Sequence, residues 1–146
     1  MRVLVQRVSR ARVSVGGEEV GAIGAGLVLL VGVHTGDGEE QVRFCAQKCA
    51  HLRILADEEG RMNRSVLDTG GQILAVSQFT LYGDCRRGQR PGFTDAAPPE
   101  RAEALYDTFC SHLESQGLVV ARGVFGAHML VEIDNDGPVT LMVESP

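Results

Sequence analysis

Two short polar segments hold most of the residues able to do chemistry. The first, Ser77-Gln78-Phe79-Thr80-Leu81-Tyr82-Gly83, puts two hydroxyls and an amide at the end of an apolar run. The second, Asn135-Asp136-Gly137-Pro138-Val139-Thr140, has the composition of a turn. Between them, Arg86, Arg87 and Arg90 crowd a glycine-containing stretch suited to holding phosphate. Taken as residues alone, Ser77 and Thr80 also fit strand-end hydroxyls bonded to nearby backbone. The second segment equally fits a hairpin turn, and the arginines fit a solvated loop.

The familiar catalytic signatures are missing. No GxSxG elbow, HExxH pair or P-loop occurs, and the GAIGAG run at 21–26 lies between two strands rather than opening a helix. The histidines at 34, 51, 112 and 128 are scattered, so no triad is suggested. Cys45 and Cys49 stand one helical turn apart, but no third ligand lies at metal spacing, which favours core thiols. No cofactor and no metal are expected.

These segments need elements to position them. With 146 residues, 44% hydrophobic and 23% charged, the chain suits one packed domain spanning 1–146. Met1 to Val15 alternates toward a strand, Gly16-Gly17 turns it, and Glu18 to Ile23 returns. Leu27 to Val33 reads as a strand covered on both faces. Asp37 with Glu40 reads as the capping box of a helix whose buried stripe is Val42, Cys45, Ala46, Cys49 and Leu52.

A turn at Asp57 to Gly60 and a polar stretch to Gly70-Gly71 precede a strand over Gln72 to Phe79. Residues 83–98 form a long loop, and Pro98-Pro99 open a second helix buried through Ala102, Leu105, Phe109 and Leu113. Val119 to Val124, Met129 to Asp134 and Val139 to Val143 read as closing strands, the last two joined by a turn. The sum is an α/β fold layered β/β/α, with a meander of strands and two main helices.

The longest apolar run is too short and too glycine-broken to cross a membrane, and the first residues lack a signal-peptide pattern. A cytoplasmic protein is expected. The net charge of −5 argues against a broad polyanion surface and confines any RNA contact to the arginine segment.

Residues 77–81 and 135–140 resemble the SQFTL and NxGPVT motifs of the D-aminoacyl-tRNA deacylase family. Met62-Asn63, Ser65-Val66, Arg90-Pro91 with Phe93, Leu105-Tyr106 with Phe109, and Gly123 to Met129 match at family spacing, so the resemblance covers roughly residues 1 to 145. Leu55 stands where an aromatic is common, and Arg86-Arg87 where lysines are frequent.

The resemblance implies a homodimeric hydrolase that cleaves D-amino acids, and glycine mischarged on tRNA-Ala, from tRNA, with no membrane or DNA partner. It implies a catalytic segment of Ser77, Gln78, Phe79 and Thr80, with the amides around Phe79 and Thr80 polarising the ester carbonyl. The substrate's own 2′-hydroxyl then helps to activate water. It also implies substrate contacts from Ala102, Phe125 and Met129, of which Phe125 and Met129 equally suit core packing. A cis Gly137-Pro138 peptide would reject L-substrates from the neighbouring subunit, and Arg86, Arg87 and Arg90 would meet RNA. Two other readings stay open: an RNA-binding scaffold without activity, and a general esterase using Thr80 or Ser77 as nucleophile.

Overall fold

The computed structural model describes residues 1–146. Its framework is a six-stranded sheet ordered β2-β1-β3-β6-β7, with β8 on the other side of β1. The strands are β1 (Arg2–Val15), β2 (Glu18–Ile23), β3 (Gly26–Gly32), β6 (Gln72–Ser77), β7 (Val120–Arg122) and β8 (Met129–Glu144). A small separate hairpin joins β4 (Leu55–Ala56) to β5 (Met62–Arg64). Helices α1 (Glu39–His51) and α3 (Pro99–Ser115) are the two long ones, and α2 (Val66–Thr69) is a single turn.

β1 has three neighbours because it is long enough to be shared. Its first half pairs with β3 and its second half with β2, while β8 runs along the opposite edge. The β1–β2 turn is Gly16-Gly17, both at positive φ, as tight hairpins of this twist require.

Side-chain parity then sorts the core into two. Val3 and Val5 of β1, Leu27, Leu29 and Val31 of β3, and Ile73 and Ala75 of β6 face the helices. There they meet Val42, Cys45 and Cys49 of α1 and Tyr106, Phe109 and Leu113 of α3. The opposite face sends Val8, Ala11, Val13, Ile23, Val28, Leu74 and Val76 into a second cluster, with Met129, Val131 and Ile133 packed on it. One sheet thus curls into a near-barrel and supplies both expected β layers. β3 and β6, apolar on both faces, are the buried parallel pair at its centre.

The parity of β1 changes midway. Val8 pairs with Asn135 and Arg10 with Asp134, leaving Ser9 as an extra residue, the arrangement of a β-bulge. Residues 3 and 5 therefore face the helices, and 11 and 13 the barrel interior.

Four local expectations need correcting. Asp37 does not cap α1. Its buried carboxylate takes the Met1 amine at 2.8 Å and the His34 amide at 2.7 Å, and Gly38 precedes the helix with Gln41 reaching back to its amide. The strand predicted to Phe79 stops at Ser77, because its parallel partner ends there: Gln78 makes the last bond, to the Val31 carbonyl at 2.7 Å. Phe79–Tyr82 instead wind into a 3-10 turn.

The polar stretch before Gly70 contains α2, capped by Ser65 and Asp68 in a reciprocal box. Finally, the last two strands are not joined by a hairpin turn. Both halves of β8 run antiparallel to the same strand, and residues 136–139 are extruded between the pairs Val8↔Asn135 and Gln6↔Thr140.

Candidate active site

The end of β6 and the 3-10 turn after it create a small cluster of unpaired donors. The first bond of the turn runs from the Leu81 amide to the Gln78 carbonyl, and the closing one from Gly83 to Thr80 at 2.9 Å. In such a turn the first two amides, those of Phe79 and Thr80, have no partner within it. They sit at an exposed position: Phe79 is 54% accessible, and Thr80 is exposed. The Gln78 side-chain amide donates to the Thr80 hydroxyl, which fixes that side chain beside the free amides. Paired N–H groups of this kind stabilise an oxygen that gains negative charge.

The neighbouring segment is anchored to the same strand. The Ala75 carbonyl of β6 accepts both the Tyr106 hydroxyl at 2.7 Å and the Gly123 amide at 3.1 Å. Burial pushes the Tyr106 phenol well above its ordinary value, so it remains a protonated donor. Half-buried Phe125 lies against Tyr106, ring centroids 6.4 Å apart. Ala102, one helical turn before Tyr106 on α3, is buried in the same cluster. Met129 faces the barrel cluster instead, and its sulfur accepts the Val124 amide at 3.4 Å.

The arginine loop is an ordered hairpin. Asp84 and Gly92 exchange amide bonds of 2.7 and 2.9 Å, and the depression they frame, about 580 Å³, is lined by Asp84, Arg86, Arg87, Arg90, Gly92 and Thr94. Arg86 makes a two-pronged pair with Asp84, at 2.9 and 2.8 Å, which holds that carboxyl down to about 2. Arg87 and Arg90 make no ion pair.

Gly137 and Pro138 stand exposed on the extruded segment, joined by a cis peptide. Asn135 accepts the Val139 amide at 3.0 Å and donates to Thr140 at 2.7 Å, so the two ends of the excursion are tied together. Arg7 holds its centre, donating from Nε to the Asp136 carbonyl at 3.1 Å and from Nη1 to the Ile54 carbonyl at 2.8 Å. Sequence reading passed over Arg7. In the sequence it is one of four arginines along β1, with Arg2, Arg10 and Arg12, and nothing sets it apart; half-burial does so only in the structure.

Within one chain the two motifs do not meet. Ser77 is level with Val31 and Val3, whereas the excursion lies opposite Arg7, four residues along β1. With three strand spacings between, ~4.8 Å each, and ~3.3 Å per residue, the path along the sheet is about 20 Å. The Ser77–Thr80 turn and the Phe125 and Ala102 cluster share strand β6 and helix α3; Gly137-Pro138 belongs to another part of the surface.

Comparisons with known proteins agree along the whole chain. The family model described as D-Tyr-tRNA(Tyr) deacylase matches residues 4–144. A D-aminoacyl-tRNA deacylase of Heliobacterium modesticaldum is 64% identical over 99% of this chain and 96% of its own. One from Halalkalibacterium halodurans is 61% identical over 99% of both.

Among solved structures, the "c-Myc DNA Unwinding Element Binding Protein" superposes with a TM-score of 0.94 at 43% identity, covering 100% of this chain and 99% of that one. "A probable eukaryotic D-amino acid tRNA deacylase" shares the fold at a TM-score of 0.84 and 20% identity, over 98% of both chains. The chain belongs to the D-Tyr-tRNA(Tyr) deacylase family and is a hydrolase, a D-aminoacyl-tRNA deacylase.

Proposed function

We propose that the enzyme works as a homodimer in which Gly137 and Pro138 of one subunit complete the Ser77–Thr80 site of the other. In this arrangement they set the handedness of the accepted ester. What supports the reading is that the two segments lie on different parts of one chain's surface, about 20 Å apart along the sheet. A two-fold axis brings each segment to the other's site without altering either.

The ester carbonyl then sits on the amides of Phe79 and Thr80, with Gln78 holding Thr80 and Ser77 ending the strand beneath. Phe125 and Ala102 form the side that takes the terminal adenosine, and Met129 serves it from the barrel face by holding the Val124 amide. An aminoacyl ester is already activated, so positioning, a polarised carbonyl and a water suffice. The substrate's 2′-hydroxyl helps to activate that water, and Thr80 is not an obligatory nucleophile, since its hydroxyl is bonded to Gln78 rather than to a base. Backbone projecting beside the α-carbon excludes an L-side chain, while glycine passes because it has none, so glycine mischarged on tRNA-Ala is also removed. Arg86, Arg87 and Arg90 face the approaching RNA, and a tRNA substrate places the enzyme in the cytoplasm. No helix is long and apolar enough to cross a membrane.

The test is deacylation of matched D- and L-tyrosyl-tRNA, with sedimentation at the assay concentration. Hydrolysis of the D-ester at least about tenfold faster is expected, a difference of roughly 1.4 kcal/mol in the barrier. Equal rates would overturn the chiral reading, and an active monomer would overturn the shared site.

A further inference from the structure

Beside the free amides, on the side of the arginine loop, two aromatic rings are exposed without a partner of their own in the core. Phe79 and Phe93 are 54% and 38% accessible and meet nearly edge to face, with centroids 5.1 Å apart and planes at 67°. A ring pair in this geometry leaves aromatic surface open to a third ring. The approach is close: a side chain at Gly83 would put its Cβ 3.1 Å from Phe93.

The same segment turns its alternate residues the other way. Arg90, Gly92 and Thr94 line the polar depression with Arg87, while Phe93 between them reaches Phe79. One short stretch therefore presents an aromatic face on one side and two uncommitted guanidiniums on the other. Arg86 is engaged by Asp84 and braces the hairpin. Exposed rings beside a local cationic groove are what a single-stranded nucleic acid requires, because bases stack without regard to sequence and phosphates follow the charge. On a chain of net charge −5, such a patch is a local exception to an acidic surface.

We propose that the Phe79–Phe93 pair with Arg87 and Arg90 forms a grip for the single-stranded nucleotides immediately upstream of the terminal adenosine, with one base stacked on the rings and the phosphodiesters further along the strand paired with the arginines as it passes over the edge of the hairpin. This rests on the tRNA ester being the substrate. The grip distinguishes an aminoacylated RNA tail from a free aminoacyl nucleoside, and it acts by binding rather than on the reacting bond.

The experiment compares three D-tyrosyl esters: of adenosine, of the trinucleotide CCA, and of full tRNA. The enzymes are the unmodified dimer, Phe93→Leu, and the Arg87→Gln/Arg90→Gln double variant. Phe93→Leu should raise KM about fivefold or more on the trinucleotide and tRNA esters, with kcat and the adenosine ester changed by less than twofold. The double variant should also raise KM on the trinucleotide, and should lower the log–log salt dependence of binding by about 0.7 to 1.4.

Equal losses on the adenosine ester would show that Phe93 merely supports Phe79, and would overturn the proposal. An effect on full tRNA alone would assign the contact to the base-paired stem, and would overturn it too. Normal cleavage of D-tyrosyl-tRNA by both variants would sink the grip while leaving the ester specificity standing.

Discussion

The Arg7 guanidinium donates to the carbonyl of Asp136 at 3.1 Å, one residue before Gly137, and spans from there to the Ile54 carbonyl. A strand residue thereby holds a neighbouring strand where that neighbour leaves the ladder. Hydrogen bonds from a charged donor to backbone contribute about 1.5–3 kcal/mol each.

Removing this brace should loosen residues 136–139 while the barrel stays folded. Arg7→Met is expected to lower the denaturant midpoint by the equivalent of about 2 kcal/mol and to slow D-tyrosyl-tRNA hydrolysis about tenfold or more. Arg7→Lys should recover only part, because a single ammonium cannot reproduce the two-carbonyl span. Full activity in Arg7→Met would show that the excursion holds its shape without the guanidinium.

Gly137 has φ +119, a conformation L-residues rarely adopt, and a Cβ there would lie 2.6 Å from the Arg7 terminal nitrogen. Gly137→Ala must therefore displace the segment. The expected result is an order-of-magnitude change in the ratio of D- to L-tyrosyl-tRNA rates, with the melting temperature lowered by only a few degrees because the segment is exposed. An unchanged ratio from initial rates would remove this backbone from the selection step.

Phe79 is the first residue of its 3-10 turn, where proline is tolerated, so Phe79→Pro deletes one amide donor with little cost to the backbone. The predicted loss in kcat is about 10²- to 10³-fold. A shared site adds a second expectation: where Gly137→Ala lowers the D-ester rate about tenfold, dissociating and remixing it with inactive Phe79→Pro should raise that rate to about a quarter of normal, since half of the dimers are mixed and each has one intact site. No recovery after verified subunit exchange would put both segments in one subunit's site.

Asp84 carries a carboxyl held down to about 2 by Arg86, against an ordinary 3.8. A depressed carboxylate contributes stability above its unfolded value and loses it as pH falls through the folded one. The Asp84–Arg86 brace should thus be complete above about pH 4 and should fail between 3.8 and 2. Arg86→Gln should return the Asp84 titration, followed by carboxyl NMR, toward 3.8. A midpoint still near 2 would place the cause elsewhere in the hairpin.

Much of this was legible in the residues because local pattern and tertiary role agreed. The stripe Val42, Cys45, Ala46 and Cys49 predicted the buried face of α1, and the two-faced apolar run of β3 predicted cover on both sides. Asp37 misled because a good capping residue was recruited by a distant amine and by His34, which local spacing cannot reveal.

Phe79 misled because strand length is set by the partner, and β3 stops supplying bonds at Val31. The turn assigned before Pro138 was wrong for a related reason. Turn composition marks where a ladder breaks, but only the shared partner β1 shows that the chain resumes in the same direction. The motif residues 77–80 and 137–138 were found by resemblance; Arg7, whose role is to hold backbone, carried no motif of its own.

The extra residue at Ser9 has a consequence for how β1 tolerates change. Because Ser9 is one residue too many for the ladder, Val8, Ala11 and Val13 all reach the barrel interior although 8 and 11 are three apart, and β1 is two runs of regular alternation spliced at a fixed point. Removing Ser9 would leave these side chains in the same compartment and restore an unbroken alternation, so what the extra residue supplies is not sorting but the local kink and added twist of a bulge. The splice is only two residues from Arg7. The bulge is therefore placed to set the angle at which Gly137 and Pro138 leave the sheet, so that a packed strand aims an exposed backbone.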